Sequence, residues 1–285
     1  MRSRGFSLVE LAMVLTIVTL LLSSLMYTLS AQVEQRNAEE TRRRLEQARE
    51  LILSFAIANG RLPCPARFTS TASNSAGMES FCTAAATSTT STCVGTESTT
   101  VQTHGTCSNH WDGYVPGASI GALQTDGNGF AIDAWGNRIR YVVARINNNC
   151  SGTQVPPNSY TTMFTSKSYL QQYGISCQPN DLLVCKSGTG ITTTDCGGAA
   201  NQVMSTGLVA AVLFSTGKNF LSAQDAATAT AAGRIDEAAN LNADRIFVFH
   251  PPTPSSFANG EFDDQMTWLT IGELYGRLIG AGLLP

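Results

Sequence analysis

Charged residues are scarce in this chain of 285 residues, at 14% against about 25% in average soluble domains. The formal net charge is −3, which excludes a broadly basic surface and makes direct nucleic-acid binding unexpected. Ser and Thr, 58 residues together, take the place of charge as the polar part of the surface. The hydrophobic fraction of 43% excludes wholesale disorder.

Glycine and proline are absent between Gly5 and Gly60. Since these two residues are the strong helix breakers, the stretch predicts one long helix over residues 6–60. Residues 11–33 carry no charge, and about 20 apolar residues cross a bilayer as a helix. This pattern predicts a single membrane-spanning helix with its N-terminus in the cytoplasm and the rest of the chain outside. An ordinary secretory signal is the alternative.

The second half of the predicted helix mixes charged and apolar positions. Leu45, Ala48, Ile52 and Phe55 recur at helical spacing and form one apolar stripe. The interleaved acidic and basic residues indicate a solvated opposite face. We therefore expect this half to pack on a globular domain.

No two cysteines are spaced C-x-x-C, which excludes zinc knuckles and thioredoxin-type redox motifs. An even number of cysteines in a chain poor in charge predicts disulfides formed in an oxidising compartment. The pairing stays open, with Cys82–Cys93 and Cys185–Cys196 as candidate short-range closures. The eight candidates are Cys64, Cys82, Cys93, Cys107, Cys150, Cys177, Cys185 and Cys196.

The stretch RGFSLVE at residues 4–10, followed by an apolar run, resembles the class III signal of type IV prepilins and type II secretion pseudopilins. The resemblance implies a leader, residues 1–5, removed by a prepilin peptidase between Gly5 and Phe6, and N-methylation of Phe6. It also implies that Glu10 pairs with the Phe6 amine of a neighbouring subunit in a filament. A pair within one chain is the alternative, because the two residues lie four apart.

The resemblance extends, more weakly, into the rest of the chain. RLPCPA at residues 61–66 and DAWGN at 133–137 are similar to segments of larger pilin-like proteins. Many pilins carry a proline within the first half of the helix, and this chain has none there. Subunits at the tip of secretion pseudopili commonly lack the glutamate, so the presence of Glu10 implies a position below the tip.

The expected function is that of a structural subunit, a minor pilin or pseudopilin, and not an enzyme. The implied partners are other pilin or pseudopilin subunits, the prepilin peptidase, an inner-membrane assembly platform and, before assembly, the lipid bilayer. The resemblance implies a single-pass inner-membrane protein with its N-terminus in the cytoplasm and its C-terminal domain in the periplasm, and then an extracellular or periplasmic filament. Two alternatives remain: a membrane-tethered surface adhesin or ligand-binding domain, and a tethered periplasmic hydrolase.

The expected fold is α+β and pilin-like, in which the long helix is followed by a domain over residues 61–285 with an antiparallel sheet. A Ser/Thr-rich insert at 69–106 predicts an exposed loop region held by disulfides. Apolar runs predict strands at 138–146, 208–214 and 245–250, and a short strand near Val184. Asp263 and Asp264 predict the cap of a last helix that contains Met266, Leu269, Leu274, Leu278 and Ile279.

The sequence offers few candidate catalytic residues. Ser119 lies in a G-x-S-x-G string, but Pro116 before it and Gly127 after it leave little room for the helix that a nucleophile elbow requires. His104, His110 and His250 have no metal-binding spacing. We expect His104 and His110 to be surface residues.

Two groups of acidic residues suggest calcium. Asp126, Asn128 and Asp133 fail the EF-hand template, because Ala131 and Asn137 stand where it needs glycine and glutamate. Glu261, Asp263 and Asp264 are weak calcium candidates, because major pseudopilins bind calcium in a C-terminal loop. Helix capping and solvation explain these acids more simply, so no cofactor is expected.

Overall fold

The computed structural model describes residues 7–67, 76–86, 93, 95–145, 149–150, 162–222 and 224–284. For residues 24–29, 149, 150 and 175 it describes the backbone only. The chain divides into two compact units, Met1–Glu40 and Thr41–Pro285. The second unit contains all the strands and the C-terminal part of the first helix.

Six α-helices, four short 3-10 helices and ten short strands make up the regular structure that is described. The helices are α1 (Leu8–Asn59), α2 (Gly117–Ile120), α3 (Lys167–Tyr173), α4 (Ala226–Ala231), α5 (Ile235–Asn240) and α6 (Ile271–Gly280). The strands are β1 (Phe81–Cys82), β2 (Glu97–Ser98), β3 (Arg140–Val143), β4 (Asn149–Cys150), β5 (Cys177–Gln178), β6 (Leu183–Cys185), β7 (Gln202–Met204), β8 (Val209–Ser215), β9 (Ile246–Val248) and β10 (Gln265–Thr270). The predicted α+β class is confirmed.

Helix α1 confirms the prediction made from the missing glycines and prolines. It ends at Asn59 because Gly60 takes a positive φ of 70°, the left-handed conformation that commonly terminates a helix. Of the predicted apolar stripe, Leu45, Ala48 and Ile52 are buried, and Phe55 is half-buried. The stripe joins the main core, which also contains residues of β3, β8 and β10.

The predicted inner-membrane location is wrong. Within the described residues, no helix is long and apolar enough to cross a membrane.

The main sheet is antiparallel, with β8 between β10 and β3. All seven residues of β8 are buried, as expected for a continuous apolar run at the centre of a sheet. A second sheet has the order β7-β6-β9, and there β6 pairs with β9 in parallel. The predicted antiparallel sheet is thus present, together with a mixed one.

The last helix starts later than predicted. Met266 and Leu269 belong to β10, and α6 begins at Ile271, where the Thr270 hydroxyl accepts a hydrogen bond from the Glu273 amide. The reason is tertiary, because β10 pairs with β8 along its whole length. Leu274 and Leu278 of α6 are buried, as expected, whereas Ile279 of the same helix is 47% exposed.

Disulfides hold the loops of the second unit. The pairs Cys82–Cys93 and Cys185–Cys196 confirm the two short-range closures. Cys64–Cys107 ties the segment after α1 to the end of the Ser/Thr-rich insert. Cys177 is also disulfide-bonded, while the side chain of Cys150 lies outside the described residues. The insert contributes Phe81 to the core, so it buries more than its composition predicts.

Candidate functional site

The N-terminal part of α1 presents apolar side chains on every side. They are exposed by 42% to 86%, and they comprise Leu8, Val9, Leu11, Met13, Val14, Leu15, Ile17, Val18, Leu20, Leu21 and Leu22. Apolar patches of this extent mark surfaces that bind something apolar. A helix that is apolar all round is stable in this form when other apolar groups cover it.

Glu10 lies at the start of this surface in a capping box. Its Oε2 accepts a hydrogen bond from the Ser7 amide at 2.9 Å, and its own amide donates to the Ser7 Oγ at 3.2 Å. This reciprocal pair satisfies two amides that the first turn of a helix leaves without partners. The S-x-x-E spacing is visible in the sequence, but the sequence analysis considered Glu10 only as a partner of the Phe6 amine, between subunits or within one chain. Gly5 and Phe6, the predicted processing residues, lie outside the described residues.

The calcium candidates are only partly brought together. Carboxylate oxygens of Asp263, Asp264 and Glu237 of α5 lie within 4.8 Å of one another. Glu261 instead faces Arg234, with 3.6 Å between its Oε2 and a guanidinium nitrogen. Sequence reasoning missed Glu237, because it is far from the other two in the chain and no local motif marks it.

Hydrogen bonds from amide groups hold the three carboxyls. Glu237 Oε1 accepts from Asn219 Nδ2 at 2.7 Å and from the Asp263 amide at 3.1 Å. Asp264 Oδ2 accepts from Asn240 Nδ2 at 2.7 Å. Asp263 Oδ2 accepts from the Asn219 amide at 3.3 Å. We call Glu237, Asp263 and Asp264 the acidic cluster.

Burial raises the pKa of every member of the acidic cluster. The pKa of Asp263 rises to about 7, first through burial and then through the nearby charges of Glu237 and Glu261. Burial likewise places the pKa of Asp264 well above its usual range and raises that of Glu237. Three carboxyls this close do not all ionise readily, so they either share protons or bind a cation. Calcium takes six to eight oxygen ligands at 2.3–2.6 Å, more than three carboxyls alone readily supply.

The acidic cluster makes stability depend on pH. Asp263 is ionised above pH ~4 in the unfolded chain but only above about 7 in the folded one, so folding takes up a proton between these values and stability falls as pH rises. One pKa unit is ~1.4 kcal/mol, which sets an upper limit of about 4 kcal/mol before solvent screening of this half-buried side chain. We expect Asp263→Asn to flatten the decline in melting temperature between pH 5 and 7.5. Thermal unfolding across this range measures it.

Asp225→Asn is the matched control. Asp225 is exposed, and its pKa is lowered by the hydrogen bond from the Thr228 amide, so its titration lies below this window. A decline in Asp263→Asn equal to that of the wild type would contradict the account. Millimolar calcium in the same samples is expected to leave the melting temperature unchanged. A rise with calcium that Asp263→Asn abolishes would instead show a cation site.

Ser119 is placed as a structural residue. Its Oγ accepts a hydrogen bond from the Glu79 amide at 2.9 Å. Glu79 in turn binds Arg61 through two hydrogen bonds of 2.6 and 3.0 Å in a buried ion pair. Helix α2, which contains Ser119, has four residues, and Pro116 rather than a strand precedes it. This is not the strand–turn–helix geometry of a nucleophile elbow.

The three histidines serve different local structures. His110 is fully buried, which corrects the expectation of a surface residue, and its Nε2 accepts from the Cys107 amide at 3.1 Å. Burial lowers the pKa of His110 well below its usual range, so the ring is neutral. His104 is half-buried, and the His250 ring lies 3.1 Å from a carboxylate oxygen of Asp236.

Asp126 and Asp133 each close a separate turn. The carboxylate of each accepts from the backbone amides two and four residues further along the chain. Asn128 is exposed in the first of these turns. These contacts account for the acids that failed the EF-hand template.

The candidate residues thus belong to two places in the chain. Glu10 and the apolar surface of α1 lie in the first compact unit, and the acidic cluster lies in the second. The residues that sequence reasoning missed, Ser7 and Glu237, are partners of residues that it identified. Comparisons of the chain with protein-family models, with curated proteins and with solved structures find no match.

Proposed function

We propose that this chain is a structural subunit of a pilus-like or pseudopilus-like filament. The observation that carries the proposal is the apolar surface of α1, exposed from Leu8 to Leu22 on a helix that begins with a capping box at Glu10. Apolar surface of this extent is stabilised by about 25 cal/mol for each Å² that is covered. In a filament, the same segments of other copies supply the cover.

The resemblance of residues 4–10 to a class III signal supports the same proposal. A prepilin peptidase would cut between Gly5 and Phe6, and methylation would follow on the Phe6 amine. In the filament, Glu10 would lie among apolar side chains. An ionised carboxylate is costly there unless a cation pairs with it. The amine of a neighbouring subunit is that cation, and an assembly platform is the further partner.

The second unit fits the role of the domain that such a subunit displays. The disulfides Cys64–Cys107, Cys82–Cys93 and Cys185–Cys196 and a core shared by α1 and the main sheet stabilise it. Its fold is therefore suited to carry loops and pockets that differ from one subunit type to another. We infer a minor rather than a major subunit, because the Ser/Thr-rich insert and the length of the chain exceed what a simple repeating subunit needs.

N-terminal mass spectrometry of the chain recovered from isolated filaments tests the proposal. A first residue of N-methylated Phe6 supports it, and a chain that still begins before Gly5 in filaments contradicts it.

A ligand-binding role of the second unit is the second candidate function, and one pocket favours it.

A further inference from the structure

A pocket of about 350 Å³ opens at the start of the edge strand β3. Its walls include Tyr114, Asn137, Arg138, Arg140, Phe220 and Gln224. The volume is at the small end of the range for small-molecule sites, about 300–1,000 Å³. It suits a ligand the size of one sugar ring rather than a peptide.

Two guanidinium groups are fixed in the wall by stacking. The Arg138 Cζ lies 4.0 Å from the centre of the Phe130 ring, and the Arg140 Cζ lies 4.8 Å from the centre of the Tyr114 ring. The two rings also contact each other edge to face, with 5.5 Å between their centres. Stacking covers the flat face of a guanidinium and leaves its edge for hydrogen bonds in the plane.

One carboxylate behind each arginine sets its orientation. Arg138 Nε donates to Asp126 at 2.7 Å, and an Arg140 guanidinium nitrogen donates to Asp112 at 2.6 Å. Neither aspartate lines the pocket. A guanidinium has five N–H donors, so the bond of Arg140 to Asp112 does not use all of them. Among the described residues, the pocket wall therefore presents two oriented cations and no carboxylate.

The remaining walls select among anions. Phe220 offers aromatic surface, which suits the C–H face of a sugar ring. The Gln224 amide and the Oδ1 of Asn137 suit its hydroxyls, while Asn137 Nδ2 donates to the Gly217 carbonyl at 2.6 Å. A bare inorganic anion would use the arginines alone. Arginine recognises carboxylates by paired hydrogen bonds in one plane. We propose that this pocket binds a carboxylate-bearing sugar of the uronic acid type, independently of filament assembly.

Titration of the full chain with D-glucuronate, followed by NMR, tests the site. We expect glucuronate to bind at least about tenfold more tightly than neutral glucose, with inorganic phosphate also weaker than glucuronate. Arg140→Gln should weaken glucuronate binding by about tenfold or more. Phe220→Ala and Gln224→Ala, which leave both ion pairs intact, should weaken it severalfold without a change in melting temperature.

Arg245→Gln is the matched control, because Arg245 also lies over a ring, 5.7 Å from the centre of Trp111, but outside the pocket. It should bind glucuronate as the wild type does. Equal binding of glucose and glucuronate would overturn the proposal. Absence of glucuronate binding, or wild-type affinity in Arg140→Gln, would also overturn it. The same holds if phosphate binds as tightly as glucuronate and Phe220→Ala leaves phosphate binding unchanged.

Discussion

Glu10→Ala is expected to reduce the amount of this chain in filaments by about tenfold or more, while cleavage before Phe6 continues. The reason is that an unpaired amine would remain among apolar side chains, at a cost of several kcal/mol, and each tenfold is ~1.4 kcal/mol. The measurement is the ratio of this chain in the filament fraction to the total, by immunoblot. A wild-type ratio would contradict the account.

The capping box offers a competing explanation, and two further variants separate the two. Glu10→Gln removes the charge but keeps an oxygen that accepts from the Ser7 amide. Ser7→Ala removes the hydroxyl that accepts from the Glu10 amide but keeps the charge. Loss of a cap costs only ~1 kcal/mol. If charge pairing controls assembly, Glu10→Gln fails like Glu10→Ala and Ser7→Ala assembles nearly normally. If capping controls it, Glu10→Gln assembles and Ser7→Ala does not.

Asp133→Ala is expected to destabilise the second unit by about 3–5 kcal/mol. Asp133 is 1% exposed, and its carboxylate accepts from the Trp135 and Asn137 amides and from the Ser215 hydroxyl, at 2.6–2.9 Å. Each buried donor that loses its acceptor costs about 1–3 kcal/mol. At ~2–4 °C per kcal/mol, the melting temperature should fall by about 6–20 °C. Thermal unfolding by circular dichroism measures it.

Asp126→Ala is the matched control for Asp133→Ala, because Asp126 closes a turn in the same way. Its side chain is 23% exposed, so water can replace the lost acceptor and the cost should be about 1 kcal/mol. Ser215→Ala, which removes one of the three donors, should fall between the wild type and Asp133→Ala. Equal losses in the two alanine variants of aspartate would show that burial does not set the cost.

The position of Asp133 explains why its turn matters to α1. The carbonyl of Asp133 accepts from the Arg44 guanidinium at 2.7 Å, and the Ala134 amide donates to the Thr41 hydroxyl at 3.1 Å. The turn therefore anchors the part of α1 that belongs to the second unit. This link between the turn and the helix could not be predicted from the sequence, because it joins side chains of α1 to backbone groups about 90 residues further along the chain.

Local patterns predicted those elements that local physics determines. The absence of glycine and proline predicted α1, and the apolar run at 208–214 predicted β8. Each of these patterns lies within the element that it predicts. The Cys82–Cys93 and Cys185–Cys196 closures were foreseen because each spans 11 residues. Short loops cost little entropy to close, so nearby partners are favoured.

Features that depend on contacts between residues far apart in the chain could not be predicted from the sequence. Residues 265–270 have the spacing of a helix, yet pairing with β8 makes them the strand β10. The bond between Cys64 and Cys107 spans 43 residues and follows from the fold. Glu237 joins Asp263 and Asp264 because α5, which packs on β9, is brought beside them by the fold, and His110 is buried by tertiary packing as well. Propensity gives way to tertiary packing at each of these positions.

The most direct test of the central claim is mass spectrometry of the N-terminal peptide from isolated filaments. The account predicts a peptide that begins at Phe6 with a methylated amine, recovered from filaments of the wild type and depleted by about tenfold or more in Glu10→Ala. Filaments that lack this chain, or that contain it with residues 1–5 attached and the Phe6 amine in a peptide bond, would contradict it.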